Sequence, residues 1–172
     1  MTRFALVLSA TVAAAGLVLS AQTVTDAQIA SIVLTANQVD IDAGKLAEEK
    51  STNPAVKAFA QLMIKDHTGV NEAAADLARR LNLTPQDNPT SQSLEKTGNE
   101  TRERLRGRTG AAFDRAYVDN EVVYHTSVLE AIDQTLIPNA QNAELRALLV
   151  KVRPAFVAHL EHAKKLQASL RQ

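Results

Sequence analysis

The chain contains no cysteine and few aromatic residues, and both shortages narrow what it can be. Without cysteine it has no disulfide bond, no thiol chemistry and no lipid-modified cysteine. Only four Phe and two Tyr are present, so a core must be built largely from Ala, Leu, Val and Ile. Such side chains suit helices packed at close spacing, and the composition therefore favours a helical bundle.

The chain also lacks an excess of either charge, with 19 Lys and Arg residues against 19 Asp and Glu. A balanced chain has no large field to steer it toward nucleic acid. Its one basic cluster, Thr101–Arg108, includes Glu103 and has no aromatic residue beside it, so we interpret it as a solvated helix face. We expect no nucleic-acid partner, while a protein partner and the oligomeric state stay open.

A hydrophobic run stands at the amino terminus, from Phe4 to Leu19, after Arg3 and before the small residues Ser20 and Ala21. This layout is typical of a secretory signal peptide over residues 1–21. The alternative, a retained membrane anchor, is less favoured because the run is short and rich in Ala. We therefore expect export across the inner membrane, into the periplasm if the source is a Gram-negative bacterium, with no stable membrane insertion after the signal is removed. The remaining residues, 22–172, are expected to form a single domain.

Capping signals and prolines divide the rest of the chain into helices. Thr25 and Gln28 have the spacing of a capping box, and Asn53 followed by Pro54 is typical of a second helix start. The predicted helices are Thr25–Lys50, Pro54–Leu81, a shorter Leu94–Arg106, Ala111–Leu136 and Asn142–Leu170. Pro154 lies inside the last one, so a kink or brief break is expected there. The fold class is therefore all-α: an antiparallel four-helix bundle, with a short extra helix in the connection between the second and third long helices.

Each long helix has one apolar stripe with steps of three and four residues, and each stripe contains one polar residue. The four exceptions are Asp40, His67, His125 and His159. At about 1.5 Å per residue, Asp40 and His67 lie roughly 18 and 22 Å from the turn that joins their helices, and His125 and His159 roughly 17 and 26 Å from theirs. We therefore expect the four side chains to meet near the middle of the bundle.

A buried carboxylate and three imidazoles have two arrangements that avoid a large desolvation cost. They form a closed hydrogen-bond network without a ligand, or they bind one divalent transition metal such as zinc, copper, iron or manganese. The third possibility is that they do not converge. Further polar residues share helix faces with these four and are candidate extra ligands or supporting groups: Asn37, Asn71, Glu121 and His162. A solvated surface position is the alternative for each of them, and for His162 it is the favoured one. Asp66, next to His67, is expected to be exposed or to cap a neighbouring group.

Three segments resemble a known family: "VDIDAGKLAEEKSTNPAVKAFAQLMIKDHTGVN", "FDRAYVDNEVVYH" and "RPAFVAHLEHAKKL". They are similar to the exported bacterial family named domain of unknown function 4142, within the ferritin-like set of bundles, and the resemblance covers Asp26 to Leu170. It implies matched positions at Asp40, Asp66–His67, Tyr117, His125 and Pro154 with His159. The resemblance supports a bundle and export, and it implies no established activity.

A ferritin-like bundle suggests a carboxylate-bridged centre with two metals, but the sequence argues against one. That centre needs Glu-x-x-His on two helices, and the residues three positions before the helix histidines are Ile64, Val122 and Phe156. A site for one metal, or a site without metal, is the consistent interpretation. The leading hypothesis is thus a non-enzymatic metal-binding or stress-associated bundle, and the alternative is a structural or adaptor module whose buried residues fix helix register. An enzymatic metal site is less favoured, because it needs an open coordination position and a pocket.

Overall fold

A computed structural model describes residues 23–171, and this part of the chain is all-α, with no strand. The predicted signal peptide lies outside these residues. The helices are α1 (Asp26–Lys50), α2 (Pro54–Arg80), α3 (Pro89–Arg106), α4 (Gly110–Ala131), α5 (Ile137–Asn139) and α6 (Ala143–Ser169), with a π-helical segment, Ile132–Leu136, between α4 and α5. Within the range described, no helix combines the length and the hydropathy that crossing a membrane requires.

The first two helices begin at the residues that the capping signals predict. The side chain of Thr25 accepts a hydrogen bond from the Gln28 amide at 3.3 Å, and the Gln28 side chain accepts one from the Thr25 amide at 3.1 Å. Asn53 Oδ1 accepts from the Ala55 amide at 2.9 Å, with Pro54 in the first helical position. These bonds satisfy amide groups that a helix start would otherwise leave without partners.

Helix α3 is longer than predicted, because it begins at Pro89 rather than at Leu94. Asn88 caps it: its side chain accepts from the Thr90 and Ser91 amides, and Ser91 Oγ accepts from the Asn88 amide at 3.0 Å. The polar residues that suggested a loop therefore form a reciprocal cap and the first turn of a helix.

The prediction that the third long helix continues as an α-helix to Leu136 is wrong. It ends at Ala131, and the Ile137 amide bonds to the Ile132 carbonyl five residues earlier. Pro138 follows this wide turn; it has no amide to donate and its ring would crowd an ordinary helical carbonyl. The proline thus accounts for the change in winding.

The break expected at Pro154 does not occur, because α6 runs unbroken from Ala143 to Ser169. Pro154 is exposed, and so is Val150, the residue whose carbonyl loses its helical donor. Both lie on the solvent side, where water can replace the missing hydrogen bond. His159 therefore stays in the same helical register as the residues before the proline.

The helices pack into a bundle in which α1 contacts α2, α3 and α4, and α6 contacts α2 and α4. Its apolar interior has two parts. One contains Ala43, Met63, Val118 and Ala163, and the other contains Ile32, Leu77, Ile132 and Phe156. On each long helix, the polar member of the stripe lies in sequence between residues of the two parts. A polar layer therefore separates two apolar cores.

Candidate metal-binding site

The structure brings the four polar stripe residues together in this layer. Asp40, His67, His125 and His159 are 1%, 1%, 0% and 4% exposed, so all of them are shielded from solvent. The ring centres of the three histidines are 5.3 to 5.5 Å apart, which makes an almost equilateral triangle. The helix periodicity thus predicted the convergence correctly.

The orientation of His67 is fixed by Asn37, one helix away. Asn37 Nδ2 donates to the Val33 carbonyl at 2.8 Å, which turns its Oδ1 toward the ring, 2.7 Å from His67 Nδ1. Because an amide oxygen only accepts, Nδ1 must carry the proton and donate it. The other nitrogen, Nε2, faces Asp40 Oδ2 at 2.6 Å, but this contact lacks the alignment of a hydrogen bond.

His125 is held by its own helix. Its Nδ1 lies 3.1 Å from the main-chain carbonyl of Glu121, one turn earlier, and donates to it. This leaves Nε2 without a hydrogen bond, 3.8 Å from Asp40 Oδ2 and fully buried. The unprotonated nitrogen of His125 therefore points toward the same carboxylate as His67.

His159 is held from the outside, by Asp66. Its Nε2 lies 3.0 Å from Asp66 Oδ2, and the Asp66 side chain is about a third exposed. The inner nitrogen, Nδ1, is buried and has no partner. Of the two roles expected for Asp66, exposure or a bond to a neighbouring group, the structure shows a partly exposed side chain that bonds to His159 and orients its ring.

The three rings therefore follow one pattern. Each uses one nitrogen as a donor to an outer acceptor, namely Asn37 Oδ1, the Glu121 carbonyl or Asp66 Oδ2. Each turns its other nitrogen inward, and the three histidines offer ligand atoms within 4.8 Å of one another. Metal-binding histidines in proteins have this arrangement, in which an outer acceptor fixes the tautomer and the ring orientation. The buried group could hold a metal ion.

Asp40 supplies the negative charge at the centre. Burial raises the pKa of its carboxyl, but the attraction of His67, the contact with that ring and the attraction of His125 outweigh burial and hold the pKa at about 2. Both carboxylate oxygens are buried and have no hydrogen-bond donor of good geometry. Asp40 is thus an anion with unused acceptor capacity.

Burial pushes the neighbouring groups toward their neutral forms. Burial lowers the pKa of His125 to about 4, against the opposing attraction of Asp40, and burial also lowers the pKa of His159. Burial, followed by the charge of Asp40, raises the pKa of Glu121 well above its usual range. These shifts favour an ionised Asp40, a protonated Glu121 and neutral rings at His125 and His159.

The four extra candidates separate into two pairs. Asn37 and Glu121 belong to the site, since Asn37 orients His67 and Glu121 forms a second compact group with Asp40 and His125. Asn71 instead donates to the Leu34 carbonyl at 3.3 Å. His162 is exposed and packs its ring edge-on against Phe59, as the favoured surface interpretation predicted.

An apolar side chain that was not a site candidate also shapes this layer. The ring centre of Phe156 lies 5.0 Å from that of His67 and 6.1 Å from those of His125 and His159. Phe156 therefore covers all three imidazoles on one side. Its position three residues before His159 carries no ligand signal, and only the packed structure reveals this contact.

Comparison with known proteins identifies the family. The family model described as "Domain of unknown function (DUF4142)" matches residues 10–166. The chain belongs to this family. No curated protein and no solved structure matches it. Membership in DUF4142 assigns no activity, so the function has to be inferred from the polar layer itself.

Proposed function

We propose that this DUF4142 protein binds one divalent transition metal ion in its polar layer. The ligands are His67 Nε2, His125 Nε2, His159 Nδ1 and a carboxylate oxygen of Asp40. The observation that carries the proposal is the shared orientation of the three rings. In each, one nitrogen bonds to an outer acceptor and the other faces inward without a hydrogen-bond partner. Without an ion, several buried polar atoms at one level lack partners, which costs about 1–3 kcal/mol for each such group.

The chemistry of the proposed ligand atoms favours some metal ions over others. Three imidazole nitrogens and one carboxylate oxygen suit zinc, copper, iron or manganese, and the excess of nitrogen favours zinc or copper over the alkaline-earth ions. Tetrahedral zinc holds its ligand atoms about 3.3 Å apart. The histidine ligand atoms lie within 4.8 Å of one another and Asp40 Oδ2 lies 2.6 Å from His67 Nε2, so metal binding would require small movements of these side chains.

Burial supports a binding role rather than catalysis. Four protein ligands complete the coordination of a tetrahedral metal, whereas catalytic zinc sites keep one position open for water or substrate. The four ligand residues are at most 4% exposed, and Phe156 covers the rings. We therefore propose storage, sequestration or structural use of the metal, with no reaction assigned.

Metal content tests this proposal directly. The untagged protein is equilibrated with zinc, copper, iron or manganese, desalted and analysed by mass spectrometry of the elements. We expect about one equivalent of a preferred metal, a loss of binding in His125→Leu and full binding in His162→Leu, the matched control at an exposed histidine. Less than about a tenth of an equivalent for every metal would refute the proposal.

A second function is favoured by the 2.6 Å approach of His67 Nε2 to Asp40 Oδ2. In this alternative the layer is a metal-free network that fixes helix register in a structural or adaptor bundle. In such a network a protonated Glu121, the form that its raised pKa favours, would donate to Asp40. The two functions differ in one measurement, because a chelator lowers the melting temperature only if a metal stabilises the fold.

We also propose that the protein works outside the cytoplasm, in the periplasm of a Gram-negative bacterium. The support is the layout of residues 1–21, with Arg3, an apolar run and small residues at Ser20 and Ala21. Cell fractionation and the intact mass of the isolated protein test this. Recovery from the cytoplasm with residues 1–21 still attached would contradict it.

A further inference from the structure

A large cavity lies between α3 and α4, above α1; none of the proposed metal ligands lines it, although Asn37 and Phe156 of the polar layer do. Its volume is about 630 Å³. Ile32, Val33 and Ala36 of α1 contribute its apolar floor. One end lies at Pro89 and Leu136, and the other lies at Arg104 and Asn120.

The size of the cavity indicates a small, elongated occupant. From Pro89 to Arg104 it follows α3 for about 22 Å, at about 1.5 Å per residue. The volume lies within the range of pockets that bind small molecules.

The lining is apolar along most of its length and carries a cation at one end. Arg104 is the one charged residue among those that line the cavity, and no acidic side chain faces it there. Its Nη2 donates to Thr101 Oγ1 at 2.7 Å. Its neighbours on α3 differ: Arg102 pairs with Asp42 and Arg106 pairs with Glu103, whereas within residues 23–171 no carboxylate pairs with Arg104.

The surface around the cavity also exposes apolar area. Val123, which lines the α4 side, is 66% exposed, one of two large apolar side chains so exposed in the range described. The opposite wall, on α3, carries the hydroxyl groups of Thr90, Ser93 and Thr97. An apolar chain would be covered by Val123 and the α1 floor, while hydroxyl groups at the rim stay hydrated.

We propose that this cavity binds a single-chain fatty carboxylate. The carboxylate pairs with the Arg104 guanidinium, and the hydrocarbon chain runs along α1 toward Ile132 and Leu136. Charge complementarity at one end and an apolar floor over the remaining length select an anionic amphiphile over a cation or a polar metabolite. This binding site is separate from the metal ligands and requires no metal.

Titration calorimetry of the chelator-treated protein tests the proposal, so its result does not depend on a bound metal. The probe is sodium dodecanoate below its micelle concentration, compared with dodecyltrimethylammonium, which has the same chain and the opposite charge. We expect one dodecanoate per chain and at least tenfold weaker binding of the cation. Absence of dodecanoate binding, or equal binding of the two ions, overturns the proposal.

Two matched pairs of variants locate the site. Thr97→Trp fills the cavity from an exposed position and should abolish binding, whereas Gln92→Trp, on the same helix and outside the lining, should leave it unchanged. Arg104→Gln should weaken binding about tenfold, the loss of one charge-assisted contact, and Arg108→Gln should have no effect. Unchanged binding in Thr97→Trp overturns the proposal. If that variant does not fold, as judged by circular dichroism, Ser93→Trp on the same wall gives the same two outcomes.

Discussion

His67 Nε2 and Asp40 Oδ2 lie 2.6 Å apart with only 1% of either side chain exposed, and this contact joins the middle of α1 to the middle of α2. A buried carboxylate charge destabilises the fold unless neighbouring groups compensate for its lost hydration. Asp40 is surrounded by His67, His125 and Glu121, all of them buried. The stability of the bundle is therefore coupled to the composition of this layer.

Removing one member of the pair should cost more than removing both. In the metal-free protein, His67→Leu leaves Asp40 as a buried anion with one counter-group fewer, and we expect a loss of about 3–5 kcal/mol in the free energy of unfolding. The double variant with Asp40→Leu removes the charge as well and should recover most of that loss. Urea denaturation measures both values; additive losses in the double variant would show that the two residues do not interact.

The second prediction concerns Asn37, which orients His67 without being a proposed ligand. Asn37→Ala removes the acceptor at 2.7 Å from Nδ1, so the ring is free to rotate and to change tautomer. We expect metal affinity to fall by about 10–100-fold, as for other outer partners of metal-binding histidines. Asn71→Ala is the matched control, because Asn71 bonds to the Leu34 carbonyl instead. Competition with a chelator of known affinity gives both constants, and equal affinities would remove Asn37 from the site.

Gly98 gives a prediction about helix packing that is independent of the metal. A Cβ at this position would lie 2.7 Å from Val39 Cγ1 and 2.8 Å from Val39 Cγ2, closer than carbon atoms can pack. Gly98→Ala should therefore destabilise the α1–α3 contact by about 1–3 kcal/mol. Adding Val39→Ala should restore most of the loss, as measured by thermal unfolding. Gly69→Ala, where the added Cβ has no neighbour within 4 Å, is the control and should be neutral or stabilising.

The sequence predicted the four central residues because each breaks an apolar stripe at a buried position. It identified only some of the groups that orient the rings. Asp66 is adjacent to His67 in sequence but contacts His159 on α6, which depends on how α2 and α6 pack. Phe156 follows the apolar pattern of its own helix, so its contact with three imidazoles leaves no signature in the sequence.

Some helix ends are determined by local sequence and others by tertiary packing, and those predicted well are of the first kind. The caps at Thr25 and Asn53 are local, and their positions were predicted correctly. The start of α3 was placed five residues late because Asn88 and Ser91 were interpreted as loop residues rather than as a reciprocal cap. The wide turn after Ala131 and the continuity of α6 at Pro154 depend on where each proline faces, which propensity alone does not determine.

The last prediction is that stability of the metal-free protein falls as pH falls from about 6.5 to about 4. The pKa of His125 is lowered from 6.5 to about 4 by burial, and the pKa of His159 is lowered in the same direction. In this window the unfolded chain binds protons that the folded chain excludes, so each residue contributes stability that is present above pH 6.5 and lost on acidification. Asp40, with a pKa of about 2, does not change its charge within this window.

Glu121 opposes this trend, and its contribution makes the prediction specific. Its pKa is raised above 4.5, so the folded state keeps a proton that the unfolded state releases, and its contribution to stability decreases as pH rises. Two histidines against one carboxylic acid leave a net loss of stability on acidification, up to about 1.4 kcal/mol per pH unit for one proton. Thermal melting from pH 7.5 to 4.5 should therefore show a shallower dependence in His125→Leu and a steeper one in Glu121→Gln, with His162→Leu unchanged. If all four proteins had the same pH dependence, the protons that destabilise the bundle would bind outside this layer.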